Sequence, residues 1–308
     1  MKNIKLGASL LSWITPLWNA ESGKYAIEKT AQAGFDLIEI LLPNSMDFDA
    51  ATVKKQLKDH HLEAVCSLNL PKDAHIAFYP EAAENLIKKA IDKVDELETN
   101  LLAGVLHSGI GVFTGKPITE NEKDIIAEVW CNVSDYARIR NIDIAIEPIN
   151  RYESYVCNTA ENVLELIKKT GKNNLFLHLD TFHMNIEENN FYDPIIKSGK
   201  MLKHIHITES HRGMPGEGTV NWEEFFSALK AIHFEGNLVL ENFSSSIPGM
   251  QEKVSLWQKS PHDARELAEG SLAFLKDYIK KLLIRSFCDP EGTNVEHFYR
   301  RFGKTCLT

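Results

Sequence analysis

Four apolar runs in the second half of the chain end on side chains able to do chemistry: AIEPIN on Glu147, LHLDTFH on Asp180 and His183, HIHITESHRG on His204, His206 and Glu209, and VLENF on Glu241. A charged carboxylate closing an apolar strand is costly unless it is paired or coordinates a metal. Taken alone, Glu147 or Glu241 reads equally well as a strand-end carboxylate held by a lysine or arginine. Successive runs each offering such a group suggest convergence on an ion. The set Glu147, Asp180, His206 and Glu241 is mostly oxygen and leaves positions open. It suits Mn²⁺, Mg²⁺ or Co²⁺ better than a structural zinc, which prefers a closed, thiolate-rich shell. His178 and His204 stand two residues before Asp180 and His206. Period-2 alternation puts each on its partner's face but one layer deeper, where a satisfied core or supporting histidine is expected rather than a ligand.

Side chains on separate runs converge only if the runs are strands of one sheet. Short apolar runs alternate with amphipathic stretches along the whole chain, the rhythm of βα units feeding a parallel sheet. Strands are predicted at Ile4–Leu10, Phe35–Leu42, Leu62–Leu70, Leu101–His107, Ile142–Ile149, Leu175–Asp180, Leu202–Thr208 and Asn237–Phe243, each nearly continuously apolar, as strands buried on both faces are. Helical patterns between them include Tyr25–Ala33, Ala83–Glu96, Glu122–Arg140, Ala160–Lys169, Trp222–Ala231 and Asp263–Leu283, with Thr159 and Asn221 as caps. Eight units in order predict a closed (β/α)₈ barrel, whose functional side chains sit at the C-terminal ends of its strands. An open doubly wound sheet is the rival, but Gly7 is followed by ASLLSWITPLW rather than GxGxxG. No internal repeat or linker divides the chain, so one barrel domain is expected over residues 1–284. A C-terminal extension, 285–308, follows, where the pattern changes to RSFCDPEGTN and HFYRRFGKT.

The chain has 34 basic and 43 acidic residues, a formal charge of −9, and no basic block. A nucleic-acid partner therefore has no electrostatic footprint, and a small neutral substrate or a divalent cation fits better. The five cysteines, Cys66, Cys131, Cys157, Cys288 and Cys306, are scattered and form no CxxC pair, so they read as reduced thiols. The apolar run Leu6–Leu11 soon meets Ser12 and Trp13. No membrane association is expected, and a cytoplasmic location follows by elimination.

EPINRYES at 147–154, DTFHMNIEE at 180–188, HIHITESHRGMPGEGTVNW at 204–222 and LVLENF at 238–243 together resemble the ketose 3-epimerases. These are the tagatose, allulose and ribulose epimerases of the xylose-isomerase-like TIM barrel superfamily. The resemblance runs from Ile4 to about Leu283; its specific motifs lie in the second half, and the first half matches mainly in architecture. It implies that Glu147, Asp180, His206 and Glu241 hold one divalent metal, manganese or cobalt by preference, with Glu147 and Glu241 also acting as the acid/base pair. It further implies that Glu153, His183 and Arg212 bind the substrate near C1 to C3. Barrels of this kind form dimers or tetramers, so a homodimer or homotetramer is expected.

Inverting C3 of a free ketose requires a base for the C3 proton, stabilisation of a cis-enediolate, and a proton returned on the opposite face. Carboxylates on the fifth and eighth strands are far enough apart around the ring to flank a sugar, as adjacent strands are not. Arg212 and His183 offer donors to an enediolate oxygen, and Glu153 an acceptor to a hydroxyl. The turn-rich GMPGEG at 213–218 lacks P-loop spacing and reads as a turn rather than a phosphate cradle. Trp13, Trp18, Phe78 and Phe113 are candidates to cover the far end of the sugar, or simply core. A metal-dependent aldose–ketose isomerase of the same superfamily would need a second set of ligands. A barrel endonuclease would need a basic face, and a non-catalytic sugar-binding barrel would have little reason to keep both glutamates.

Overall fold

The apolar runs become eight parallel strands: β1 (Ile4–Ser9), β2 (Leu37–Leu41), β3 (Glu63–Ser67), β4 (Leu101–Gly104), β5 (Asp143–Ile146), β6 (Leu175–Asp180), β7 (Leu202–Ile207) and β8 (Gly236–Leu240). In the computed structural model, which describes residues 3–288, they pair in sequence order and β8 closes on β1. A (β/α)₈ barrel results, as expected.

Alternation sorts the side chains. Ile38, Ile40, Leu102, Ile144, Leu177, Leu179, Ile205 and Leu238 belong to the continuous core between the strands and the helices. Their neighbours Leu37, Val65, Leu101, Ala103, Ala145 and Val239 form a separate apolar cluster, with Phe176 against it. That second cluster plugs the ring, as barrel interiors are filled rather than open. Two residues further along the same inward rows stand Glu39, Ser67, Glu147, His178 and Glu241, so the interior turns from apolar to ionisable toward the C-terminal ends of the strands. One irregularity matters for the site: Leu177 pairs with Leu202 but His178 pairs with His204, leaving Lys203 as an extra residue in β7. This bulge brings His204 and His206 level with His178 and Asp180.

Local chemistry starts and stops the helices. Asn19, Thr119 and Thr159 each close a capping box on the helices Ala20–Ala33, Glu120–Arg138 and Ala160–Thr170, and Asn221 caps Trp222–Ala231. The predicted spans Leu175–Asp180 and Trp222–Ala231 are met at both ends. Several predicted strands overrun: Leu68, Leu70, Val105 and Leu106 stay buried after the sheet has ended. The helix Ala50–Asp59 completes one of the eight predicted units, though its span is not among those named, and it buries only Ala50, Val53 and Leu57 on its inner face. The last helix, Ala264–Cys288, carries through the expected boundary near 284; the remainder of the expected extension lies outside the described residues. Among the described residues no helix is long and apolar enough to cross a membrane.

Gly104 ends β4 with φ of 115°, and a Cβ there would stand 2.4 Å from the carbonyl oxygen of Leu68. Its own carbonyl accepts the Glu147 N–H at 3.0 Å. Gly104→Ala is expected to lower stability by about 1–3 kcal/mol, the usual cost of a side chain forced into such a conformation, read as a lower urea midpoint with an unchanged slope.

Candidate metal centre and active site

Each predicted ligand is carried by backbone that belongs to the barrel wall. Glu147 follows β5 directly. Glu241 follows β8, with its N–H on the Ile207 carbonyl at 3.1 Å. Asp180 is the last residue of β6 and caps the short helix Thr181–Glu187 by accepting the Phe182 N–H at 2.7 Å through Oδ1, which leaves Oδ2 for the interior. His206 lies one residue before the end of β7. The Thr181 hydroxyl donates to the Thr208 carbonyl at 2.6 Å and accepts the Thr208 N–H at 2.9 Å, which ties the ends of β6 and β7 together.

The structure brings these residues together. His206 Nδ1 lies 3.6 Å from Glu147 Oε1, 3.8 Å from Asp180 Oδ2 and 3.4 Å from Glu241 Oε2. It is buried and has no hydrogen-bond partner. Atoms that share one ion at about 2.1 Å stand roughly 3.0–3.5 Å apart, so these four groups fit a divalent ion with adjustments of a few tenths of an ångström. The charge of the cluster asks for one. Burial, then the nearby carboxylates of Asp180 and Glu241, push the Glu147 carboxyl up to about 7 against the opposing pull of His206. Burial would raise Asp180 as well, but Arg212, His183 and His206 outweigh it and hold that carboxyl well below its usual range.

The predicted substrate residues sit beside this cluster. Arg212 Nη1 donates to Asp180 Oδ2 at 2.6 Å and to Glu241 Oε2 at 2.8 Å, with its guanidinium carbon 4.2 Å from the Phe182 ring centre. Both the backbone N–H and the side-chain amide of Asn150 reach His183 Nδ1, at 3.2 and 2.9 Å. A backbone N–H can only donate, so His183 Nδ1 is an acceptor and its ring proton resides on Nε2. Burial keeps the ring neutral by pushing its pKa down to about 3. Nε2 then lies 3.4 Å from Arg212 Nη2. Two donors cannot bond each other, so they converge on any acceptor placed between them. Asn150 also donates to Glu153 Oε1 at 2.7 Å, and burial raises the Glu153 carboxyl. A groove of about 650 Å³ off to one side, with Phe113, Lys116, Tyr155 and Lys169 in its walls, contains none of the seven predicted residues.

Residues 27–278 match the family model described as Xylose isomerase-like TIM barrel. The chain is 35% identical over 284 residues to the ketose 3-epimerase of Arthrobacter globiformis, covering 89% of this chain and 96% of that one. It is likewise 35% identical to the L-ribulose 3-epimerase of Methylomonas sp. strain DH-1, covering 89% and 98%. The chain belongs to the ketose 3-epimerases of the xylose isomerase-like barrels. Among solved structures, the D-allulose 3-epimerase of Methylomonas sp. in complex with D-allulose superposes with a TM-score of 0.85 at 33% identity, over 90% of this chain and 98% of that one.

Two residues of this ketose 3-epimerase barrel have no place in the sequence reading, and a third has no role there. Glu39, in the run LIEIL of β2, is 1% exposed and accepts from both His204 and His206. The same criterion of a charge interrupting an apolar strand, applied to the first half of the chain, finds it. Asn150 has no such signal. Glu209, noted only as a strand-end acid, is spent on its own loop: it accepts N–H groups from Ser210, Gly216 and Val220, each at 2.9 Å, and the indole N–H of Trp222 at 3.0 Å. Within 213–218 the Gly216 N–H thus already faces an internal carboxylate, and the Glu217 N–H closes a turn on the Met214 carbonyl at 3.2 Å, in keeping with a turn rather than a phosphate cradle. His178, expected to be a satisfied core or supporting histidine rather than a ligand, is fully buried, and neither ring nitrogen has a hydrogen-bond partner, so it is not satisfied in the sense expected. Of the early aromatics, Trp13 is core, its indole N–H on Thr30 Oγ1 at 2.9 Å; Trp18 packs against Phe48, and Phe78 and Phe113 are about half exposed.

Glu209→Ala removes four bonds to a buried charged acceptor, each worth roughly 1.5–3 kcal/mol. The loop 210–220 is expected to lose amide protection in hydrogen exchange while the barrel strands keep theirs, and Arg212, held at φ of 61° within that loop, loses its fixed approach to Glu241.

Proposed function

We propose that this protein is a metal-dependent ketose 3-epimerase that inverts C3 of a free, unphosphorylated ketose through a cis-enediolate. That it is an isomerase of the carbohydrate racemase and epimerase class follows from its family. The observation that carries the mechanism is the unpartnered His206 Nδ1 ringed by carboxylate oxygens of Glu147, Asp180 and Glu241. These four residues would hold one divalent ion, manganese or cobalt in the first place, with magnesium compatible with the oxygen-rich set. When bound, the ion supplies Lewis-acid polarisation of the ketose carbonyl and offsets the negative charge that builds as the C3 proton leaves.

The protein side chains do the rest. Glu147 and Glu241, projecting from β5 and β8, act on opposite faces of C3: one takes the proton, the other returns one. Arg212 and His183 bring two N–H donors to a common point, where the developing enediolate oxygen finds them already oriented, so little reorganisation is needed. Glu153, held by Asn150, accepts from a hydroxyl near C1.

In D₂O, the manganese-loaded enzyme is expected to place deuterium at C3 of D-fructose, D-tagatose, D-allulose or L-ribulose as the C3 epimer appears, followed by proton NMR. Aldose formation without solvent deuterium would instead identify a hydride-shift isomerase. Binding without exchange on any of the four sugars would identify a non-catalytic barrel. Glu147→Gln and Glu241→Gln are each expected to fold and to lose roughly 10²–10⁴-fold or more in kcat; near wild-type turnover in either variant rules out the two-base assignment.

A further inference from the structure

From the hydrogen bonds one layer below the proposed ion, we infer that Glu39 is a positioning residue that fixes which nitrogen of His206 faces the metal. The inference rests on the reading of His206 as a ligand. Imidazole binds a metal through the nitrogen that carries no proton, and the partner of the other nitrogen decides which one that is. Here the other nitrogen is Nε2, 2.9 Å from Glu39 Oε2. A carboxylate accepts only, so Nε2 must donate, and Nδ1, which faces Glu147, Asp180 and Glu241, is the nitrogen left to bind an ion.

The carboxylate is itself held from two further sides. His204 Nε2 lies 2.6 Å from the same Glu39 Oε2, and the Ser67 hydroxyl donates to Oε1 at 2.7 Å. Asn237 Nδ2, 3.5 Å from His204 Nδ1, is in place to donate to it, which leaves the His204 proton on Nε2 toward Glu39. One buried oxygen thus accepts from two histidines on the same strand, and the strands β2, β3, β7 and β8 each supply a member of the network.

A second ion bound among Glu39, His204 and His206 is the competing explanation for this cluster, and the distances disfavour it. Ligands that share an ion at about 2.1 Å rarely approach to 2.6 Å, whereas 2.6 and 2.9 Å are ordinary for charge-assisted hydrogen bonds. The arrangement at His183 is the mirror case: Asn150 donates to its Nδ1, so that ring shows the site its Nε2 proton where His206 turns toward the site the nitrogen that Glu39 does not engage. The neutral Asn150 and the anionic Glu39 are what make the two histidines different.

The test is carried out on the full-length protein with ¹⁵N-labelled histidine and with Mn²⁺ alone as the probe. In the metal-free wild type, ¹⁵N–¹H correlation spectra are expected to show a proton on His206 Nε2, whether or not the carboxylates around Nδ1 hold a second proton there; an Nε2 without a proton overturns the inference without any variant. Glu39→Gln keeps the shape but replaces the charge with a weaker acceptor. It is expected to mix the His206 tautomers and to weaken Mn²⁺ binding by roughly 10–100-fold, measured by electron paramagnetic resonance titration. Glu39→Asp keeps the charge out of reach of both rings and is expected to weaken it as well. A purely structural role would lower the melting temperature and leave the tautomer and Mn²⁺ affinity of the folded protein unchanged, and that result overturns the inference. If the wild type itself binds no Mn²⁺, the ligand reading of His206 fails first, before Glu39 is in question.

Discussion

Negative charge gathered inside a wall of apolar strands is the condition that the mouth of this barrel has to meet. Glu39, Glu147 and Asp180 are each almost fully buried, and Glu241 is only slightly more open. Isolated carboxylates would not survive there ionised. The structure answers with one guanidinium shared by Asp180 and Glu241, with imidazoles between the acids, and with a backbone N–H that takes up the second oxygen of Asp180. What this leaves uncompensated is concentrated at His206 Nδ1 and the oxygens around it, where a divalent ion fits. The same frustration that makes the cluster costly is what the proposed ion would relieve.

The layering of the interior follows from this condition. Apolar side chains fill the ring at the N-terminal ends of the strands, a shell of Glu39, His178 and His204 comes next, and the groups proposed to meet ion and sugar stand outermost. Each layer is held by the one beneath it: Glu39 accepts from Ser67, and His206 donates to Glu39. The loop that delivers Arg212 is fixed differently, by a private carboxylate, Glu209, that gathers its amides. Precision at the site thus comes from strand register below and from loop self-organisation above.

Much of this was legible in the sequence, for identifiable reasons. Eight apolar runs separated by amphipathic stretches leave few architectures open, and Glu147, Asp180 and Glu241 interrupt those runs where a barrel exposes its chemistry. The strands predicted to reach Leu70 and His107 end earlier as regular ladders, although the chain stays apolar and Leu68 and Leu70 still donate to the Ala103 and Val105 carbonyls, so hydrophobicity and isolated backbone bonds outlast the regular pairing. Glu39 gives no signal at a strand terminus, because it lies in the middle of LIEIL in the first half of the chain. Asn150 was not recoverable at all: an asparagine in NRYES reads as a turn residue, and only the folded chain shows its amide between His183 and Glu153.

The single extra residue in β7 has consequences for how such a barrel can change over time. Were the pairing of Leu177 with Leu202 continued without interruption, His178 would lie opposite Lys203 and Asp180 opposite Ile205, and both imidazoles of β7 would be turned out among the helices. The identity of the cavity wall is therefore a matter of parity. Substitutions along β7 alter one side chain at a time, but a one-residue deletion inverts the whole strand and exchanges inside for outside in a single step. A change of strand length here therefore costs more than a change of side chain, and the loops, which carry no register, are free to vary without disturbing the wall.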